Sequence, residues 1–171
     1  MFQKQPLVAD KRKKEKPKEL EKENKPLSLK SIEKFLKRSA TYIGAISVKK
    51  FKNLLVKNER FSLIVYCNFH WFCLYCTRKT VEIFDPLGFL QKTKCLTNQF
   101  FSFLRSHIKG KLVYCNPQIQ PNSSNKCGLY VIFFIRMREL GFSFFEILSK
   151  FSKNFRKNDI KVKKFVNDMT V

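Results

Sequence analysis

Hydrophobic positions change period along this chain, and the changes mark its elements. Leu27, Leu29, Ile32, Phe35 and Leu36 recur at helical spacing behind a cap candidate at Ser28 or Ser31, predicting an amphipathic helix over 28–38. Two short apolar runs, 61–66 (FSLIVY) and 70–76 (HWFCLYC), have strand composition, and 80–84 (TVEIF) alternates as a half-buried strand does. Asp85-Pro86-Leu87-Gly88 ends that strand, because proline cannot donate to a ladder and glycine permits a turn. Residues 96–107 predict a helix with Phe100, Phe103 and Leu104 on one face, and 111–115 (KLVYC) predicts a further strand. The polar stretch 116–126, with two prolines, reads as a loop. A strongly apolar helix opens at Cys127-Gly128, runs over 129–140 and is closed by Gly141. Amphipathic helices over 142–155 and 160–166 follow. This order, without internal repeats, is that of an α+β domain in which a small mixed central sheet is flanked by helices.

Charge adds a second layer. The 171 residues carry a formal +22. The segment 1–26 is rich in lysine, and from Asp10 onward it is nearly free of apolar side chains, so it cannot offset its chain entropy and reads as a disordered extension to a single domain over 27–171. Removing everything through Arg38 still leaves 22 basic against 7 acidic residues. A body this cationic implies an anionic partner, and a phosphate backbone bound without sequence preference is the expected one. Lys11, Arg12, Lys13 and Lys14 in the extension, and Lys150, Lys153, Arg156 and Lys157 near the other end, are the candidate contacts. A solvated cationic surface or a nuclear-import signal is the plainer alternative. No apolar run approaches the roughly 20 residues of a membrane span, and no secretory signal opens the chain, so a reducing compartment and free thiols are expected for the six cysteines.

Three residues invite chemistry. Cys127 stands where a polar loop enters a buried helix, and a helix N-terminus stabilises a thiolate there. Gly128 beside it leaves room for a substrate backbone. His70, one of two histidines, opens a strand, while His107 has no comparable setting. Asp85 ends the next strand, so a hairpin of 70–76 and 80–84 would bring carboxylate and imidazole to one sheet edge. Each has an ordinary alternative: a buried structural thiol, a strand-edge histidine and an Asp-Pro turn. Cys67, His70, Cys73 and Cys76 have ligand types that zinc favours, but Cys73 and Cys76 fall on opposite faces of one strand, so no metal site is expected.

Three blocks, His70-Trp71, Phe84-Asp85-Pro86-Leu87-Gly88-Phe89, and the run from Gln120 to Tyr130, resemble the adenovirus-type cysteine endopeptidases (the adenain family), relatives of the SUMO and ubiquitin-like-protein proteases. Tyr42-Ile43-Gly44 resembles that family's N-terminal region. The resemblance implies a papain-like core with Cys127 as nucleophile, His70 as general base, Asp85 orienting the imidazole and Gln120 donating to the oxyanion beside the Cys127 backbone N–H. Gln118 is the rival donor, and Trp71 would pack against the catalytic face. The resemblance also implies a monomer needing no cofactor for chemistry, with DNA and a small viral peptide as activators. Cys95 and Cys115 are displaced candidates for tethering such a peptide. Its substrates would be viral structural precursors, cut near glycine in the virion or in the host nucleus or cytoplasm. A deSUMOylase or deubiquitinase-like enzyme, and a basic DNA-packaging protein with an inert protease-like core, are the alternatives.

Overall fold

The computed structural model describes residues 26–53, 56–88, 96–107, 111–114 and 117–169. Five strands form one mixed sheet in the order β1-β2-β3-β4-β5. They are β1 (Tyr42–Ser47), β2 (Phe61–Cys67), β3 (His70–Cys76), β4 (Thr80–Phe84) and β5 (Lys111–Tyr114). The outer pairs β1–β2 and β4–β5 are parallel, while β2–β3 and β3–β4 are antiparallel. The helices are α1 (Leu29–Leu36), α2 (Asn98–His107), α3 (Cys127–Glu139), α4 (Phe144–Ser149) and α5 (Phe155–Asp168), with a 3₁₀ helix over Val48–Asn53. The chain is thus an α+β domain with its sheet flanked by helices.

Both faces of the sheet are covered, and this explains the unbroken apolar runs. One face packs against α1, α3, α4 and α5 through Ile64, Cys73, Tyr75 and Phe84. The other packs against the 3₁₀ helix and α2 through Leu63, Val65, Phe72, Leu74, Ile83, Phe100 and Phe103. Every residue of β3 is buried, because a central strand covered on both sides has no polar face. α3 is apolar nearly all round for the same reason and lies at the centre of its layer, with Phe134 stacked on Phe84 at 4.3 Å.

Two expectations about elements are corrected. β1 and the 3₁₀ helix were not anticipated, because β1 alternates weakly and carries an irregularity between Tyr42 and Ala45. The helix expected over 142–155 is two pieces. α4 is closed at its start by a Ser143–Glu146 capping box. The chain then breaks at Ser152, whose hydroxyl donates to the Asn154 carbonyl (3.1 Å) and accepts from the Asn154 N–H (3.2 Å). Asn154 in turn caps α5. Short polar side chains bonding the local backbone outcompeted helix continuation. The candidate contacts Lys11, Arg12, Lys13 and Lys14, and the tether candidates Cys95 and Cys115, lie outside the described residues.

Candidate active site

His70 and Asp85 are brought together by the two hairpin registers. Cys67 pairs with His70 across a two-residue turn in which Asn68 and Phe69 take φ values of 46° and 62°. Cys73 pairs with Phe84, so the residue after Phe84 falls at the same end of the sheet as His70. There His70 Nε2 stands 2.7 Å from Asp85 Oδ1, with both side chains at most one-tenth exposed. The same carboxylate oxygen accepts the Leu87 N–H at 2.9 Å, which holds it in place. The other ring nitrogen, Nδ1, is left for the thiol of Cys127, which lies near enough to act on the imidazole electrostatically. Burial works against a charged imidazole here. The hydrogen bond to Asp85, the interaction with Cys127 and the charges of both outweigh it, raising the pKa of His70 from 6.5 to about 9.

Cys127 is a free, buried thiol and the first residue of α3. The Lys126 N–H is taken by Ser124 Oγ (3.3 Å) and that of Leu129 by the Lys126 carbonyl (2.8 Å), which leaves the N–H groups of Cys127 and Gly128 to face a developing negative charge. Gln120 lies fully buried seven residues earlier. Its backbone N–H and that of Ile119 both donate to the Pro86 carbonyl, at 2.9 and 3.0 Å, tying the loop to the turn that carries Asp85. Its side-chain Nε2 donates to the Ser124 carbonyl at 2.8 Å, which leaves a second N–H, while Oε1 is buried without a partner. Gln118, the rival, is half-buried and spends its amide on the Gln120 carbonyl (2.6 Å) and Asn122 (3.1 Å).

Trp71 packs in the core on the α3 side, tilted against Tyr66 with ring centres 4.6 Å apart. Its indole N–H donates to the Leu27 carbonyl at 3.2 Å. Leu27 also lies over Gly128, where an added Cβ would sit 3.0 Å from Leu27 Cβ and 3.3 Å from Ile32 Cδ1. Gly128 is therefore needed first for close packing of the chain ahead of α1. Of the C-terminal cations, Lys153, Arg156 and Lys157 are exposed. Lys150 is half-buried, its ammonium 4.3 Å from the centre of the Phe142 ring.

The free-thiol expectation is corrected at Cys67, which is disulfide-bonded to a partner outside the described residues. Cys73 and Cys76 are free and face opposite cores. Burial, with Glu82 adding to it, pushes the Cys76 thiol up to about 12 and Cys73 well above its ordinary value, so neither resembles a nucleophile. Among the described residues no cluster of His, Cys, Asp or Glu could hold a metal ion, and no helix is long and apolar enough to cross a membrane.

Sequence reasoning missed the polar residues that brace this site. Glu82 on β4 meets Arg138 on α3 in a buried ion pair at 2.8 Å. Glu139 accepts from Ser39 Oγ (2.5 Å) and the Thr41 N–H (3.0 Å), fastening α3 to the chain ahead of β1. Asn158 and Asp159 of α5 reach the loop before Cys127. No periodic signal marks them; only the acidic ones stand out, 13 carboxylates against 35 cations.

No family model matches the chain, and no curated protein sequence matches it. Among solved structures, the chain is similar to the central domain of the uncharacterized Lpg1148 protein from Legionella pneumophila, at 12% identity and a TM-score of 0.45, over 75% of this chain and 88% of that one. It is also similar to a structure described as a de-sumoylating protease, at 19% identity and a TM-score of 0.41, over 71% of this chain and 61% of that one.

Proposed function

We propose that this chain is a cysteine endopeptidase whose machinery is Cys127, His70, Asp85 and Gln120. The observation that carries the reading is one imidazole held between a fixed carboxylate at 2.7 Å and the only free thiol that opens a helix among the described residues. In this reading His70 Nδ1 already holds the proton given up by the thiol, and the resulting thiolate attacks the substrate carbonyl carbon. The electron pair of the C=O bond moves onto oxygen, where the Cys127 N–H and the Gln120 amide receive it. Collapse of that intermediate breaks the peptide bond, and His70 returns its proton to the leaving amine. Water, deprotonated by the same imidazole, then cleaves the thioester. Asp85 keeps Nε2 protonated and the ring aligned throughout.

The residue-level resemblance extends this reading to an adenain-type role, the maturation of viral structural precursors cut beside glycine. The exposed Lys153, Arg156 and Lys157 at the start of α5 suit a phosphate backbone on which the enzyme would search for substrate. Peptides spanning glycine-containing precursor junctions and SUMO or ubiquitin conjugates, offered side by side, test the substrate class. Cleavage of the peptides supports the maturation role, and cleavage of conjugates alone supports a deSUMOylase-like one. Cys127→Ala should abolish either activity without loss of the folded state. Persistent cleavage in that variant refutes the nucleophile assignment.

A further inference from the structure

The loop that carries Gln120 is not held by the sheet alone. Its Ile119 and Gln120 N–H groups are taken by Pro86, as described above, and the opposite side is taken by α5. Asn158, 2% exposed, donates from Nδ2 to the Ile119 carbonyl at 2.9 Å and to the Ser152 carbonyl at 2.9 Å. Its Oδ1 accepts from the Ser152 N–H at 2.9 Å, with the Ser152 Oγ 3.3 Å away. Both donor hydrogens of one amide are thus used and its oxygen is bonded to a backbone N–H, which admits a single orientation. The next residue grips the other end of the loop. Asp159 Oδ1 accepts from the Tyr130 hydroxyl at 2.9 Å, and Oδ2 lies 3.6 Å from the ammonium of Lys126, the residue before the thiol. The Tyr130 hydroxyl also stands 3.3 Å from the Ile119 carbonyl, closing the circuit.

We infer that Asn158 and Asp159 are positioning residues, through which α5 clamps the oxyanion-donor loop and the nucleophile's turn into their reactive spacing. The inference rests on the protease reading. Its physical basis is that a buried amide donor stabilises a developing oxyanion only if it is already in place, and the Gln120 side chain bonds the Ser124 carbonyl of its own loop rather than the sheet. Asn158 is also a poor choice for mere helix stability, since an amide has low helix propensity and is costly to bury unless every bond is made. The most basic helix among the described residues thus holds the catalytic groups in position.

The test uses the full chain, a fluorogenic peptide ending in Gly-Gly-aminomethylcoumarin, and iodoacetamide. Alkylation forms the sulfur–carbon bond as iodide leaves, so it needs the thiolate and no oxyanion donor. Asn158→Ala should lower kcat at least about tenfold, toward the ~10²-fold cost of a misplaced group, with KM within about threefold. The Cys127 alkylation rate should stay within about twofold of wild type, because the thiol–imidazole pair is untouched. Asp159→Asn, which keeps an acceptor for Tyr130 and loses the charge facing Lys126, should fall between the two. Unchanged kcat in Asn158→Ala overturns the clamp. So does a loss of turnover matched by an equal loss of alkylation and of folded protein, which marks a merely structural residue. If Asn158→Ala does not fold, Asp159→Asn decides: full kcat overturns the clamp, and a selective loss of kcat sustains it. Wild-type protein that cleaves no peptide and resists alkylation would fail the protease reading itself, and the clamp with it.

Discussion

Replacing Asp85 with Asn removes one charge and keeps an oxygen that can accept the Leu87 N–H, so it isolates what the carboxylate does to His70. In the wild type the ring binds its proton with a pKa raised from 6.5 to about 9 against the opposing effect of burial. At about 1.4 kcal/mol per decade, that rise is worth about 3 kcal/mol of folding free energy. Because the folded state holds the proton more tightly, the contribution is complete below pH 6.5 and lost as pH climbs to about 9. Without the carboxylate, burial still disfavours the cation and only Cys127 still favours it, so the titration of His70 should move down from about 9. For a chain of this size about 3 kcal/mol corresponds to roughly 6–12 °C in Tm. The wild type should therefore melt above Asp85→Asn by up to that much at about pH 6, Cys127 supplying the remainder of the rise, with the gap closing by about pH 9.5 as the ring deprotonates. With only His70 and His107 in the chain, two-dimensional NMR of the imidazole resonances follows His70 directly, and His107→Ala assigns it. A wild-type His70 midpoint at or below 6.5, or a Tm gap that does not change with pH, would refute the reasoning.

Two further outcomes follow from packing and charge. Gly128→Ala places a methyl 3.0 Å from Leu27 Cβ and should cost about 1–3 kcal/mol, read as a lower urea midpoint at unchanged slope; an unaltered midpoint would show that the Leu27 segment yields freely. Binding to a random DNA duplex should weaken steeply with salt, by about 0.9 in log affinity for each phosphate neutralised per decade of salt, and replacing Lys153, Arg156 and Lys157 together should flatten that slope. A slope unchanged in the triple variant would remove α5 as the contact surface.

Where burial imposes a period, the sequence was legible. β3 and β4 match the expected spans at both ends, and α3 was readable from its unbroken apolar run. His70, Asp85 and Cys127 were legible as candidates because each sits at the boundary of such an element, where a strand or helix ends. β1 was not, since its residues are mostly half-buried and its pairing is parallel to a strand beyond the 3₁₀ helix, so no hairpin signal announces it. The break after α4 depends on Ser152 and Asn158, six residues apart, meeting through side chains. Asn158 itself looks like any polar residue on a basic helix until the fold brings Ile119, 39 positions earlier, against it. The disulfide at Cys67 eluded a reading that inferred oxidation state from the absence of an export signal.

The most direct measurement is covalent capture of the nucleophile. A peptide ending in glycine vinyl sulfone, incubated with the protein near neutral pH and mapped by mass spectrometry, should add once, at Cys127, and His70→Ala should slow that addition at least about tenfold. Adduct at Cys73 or Cys76, none at all, or an addition rate indifferent to His70 would contradict the account.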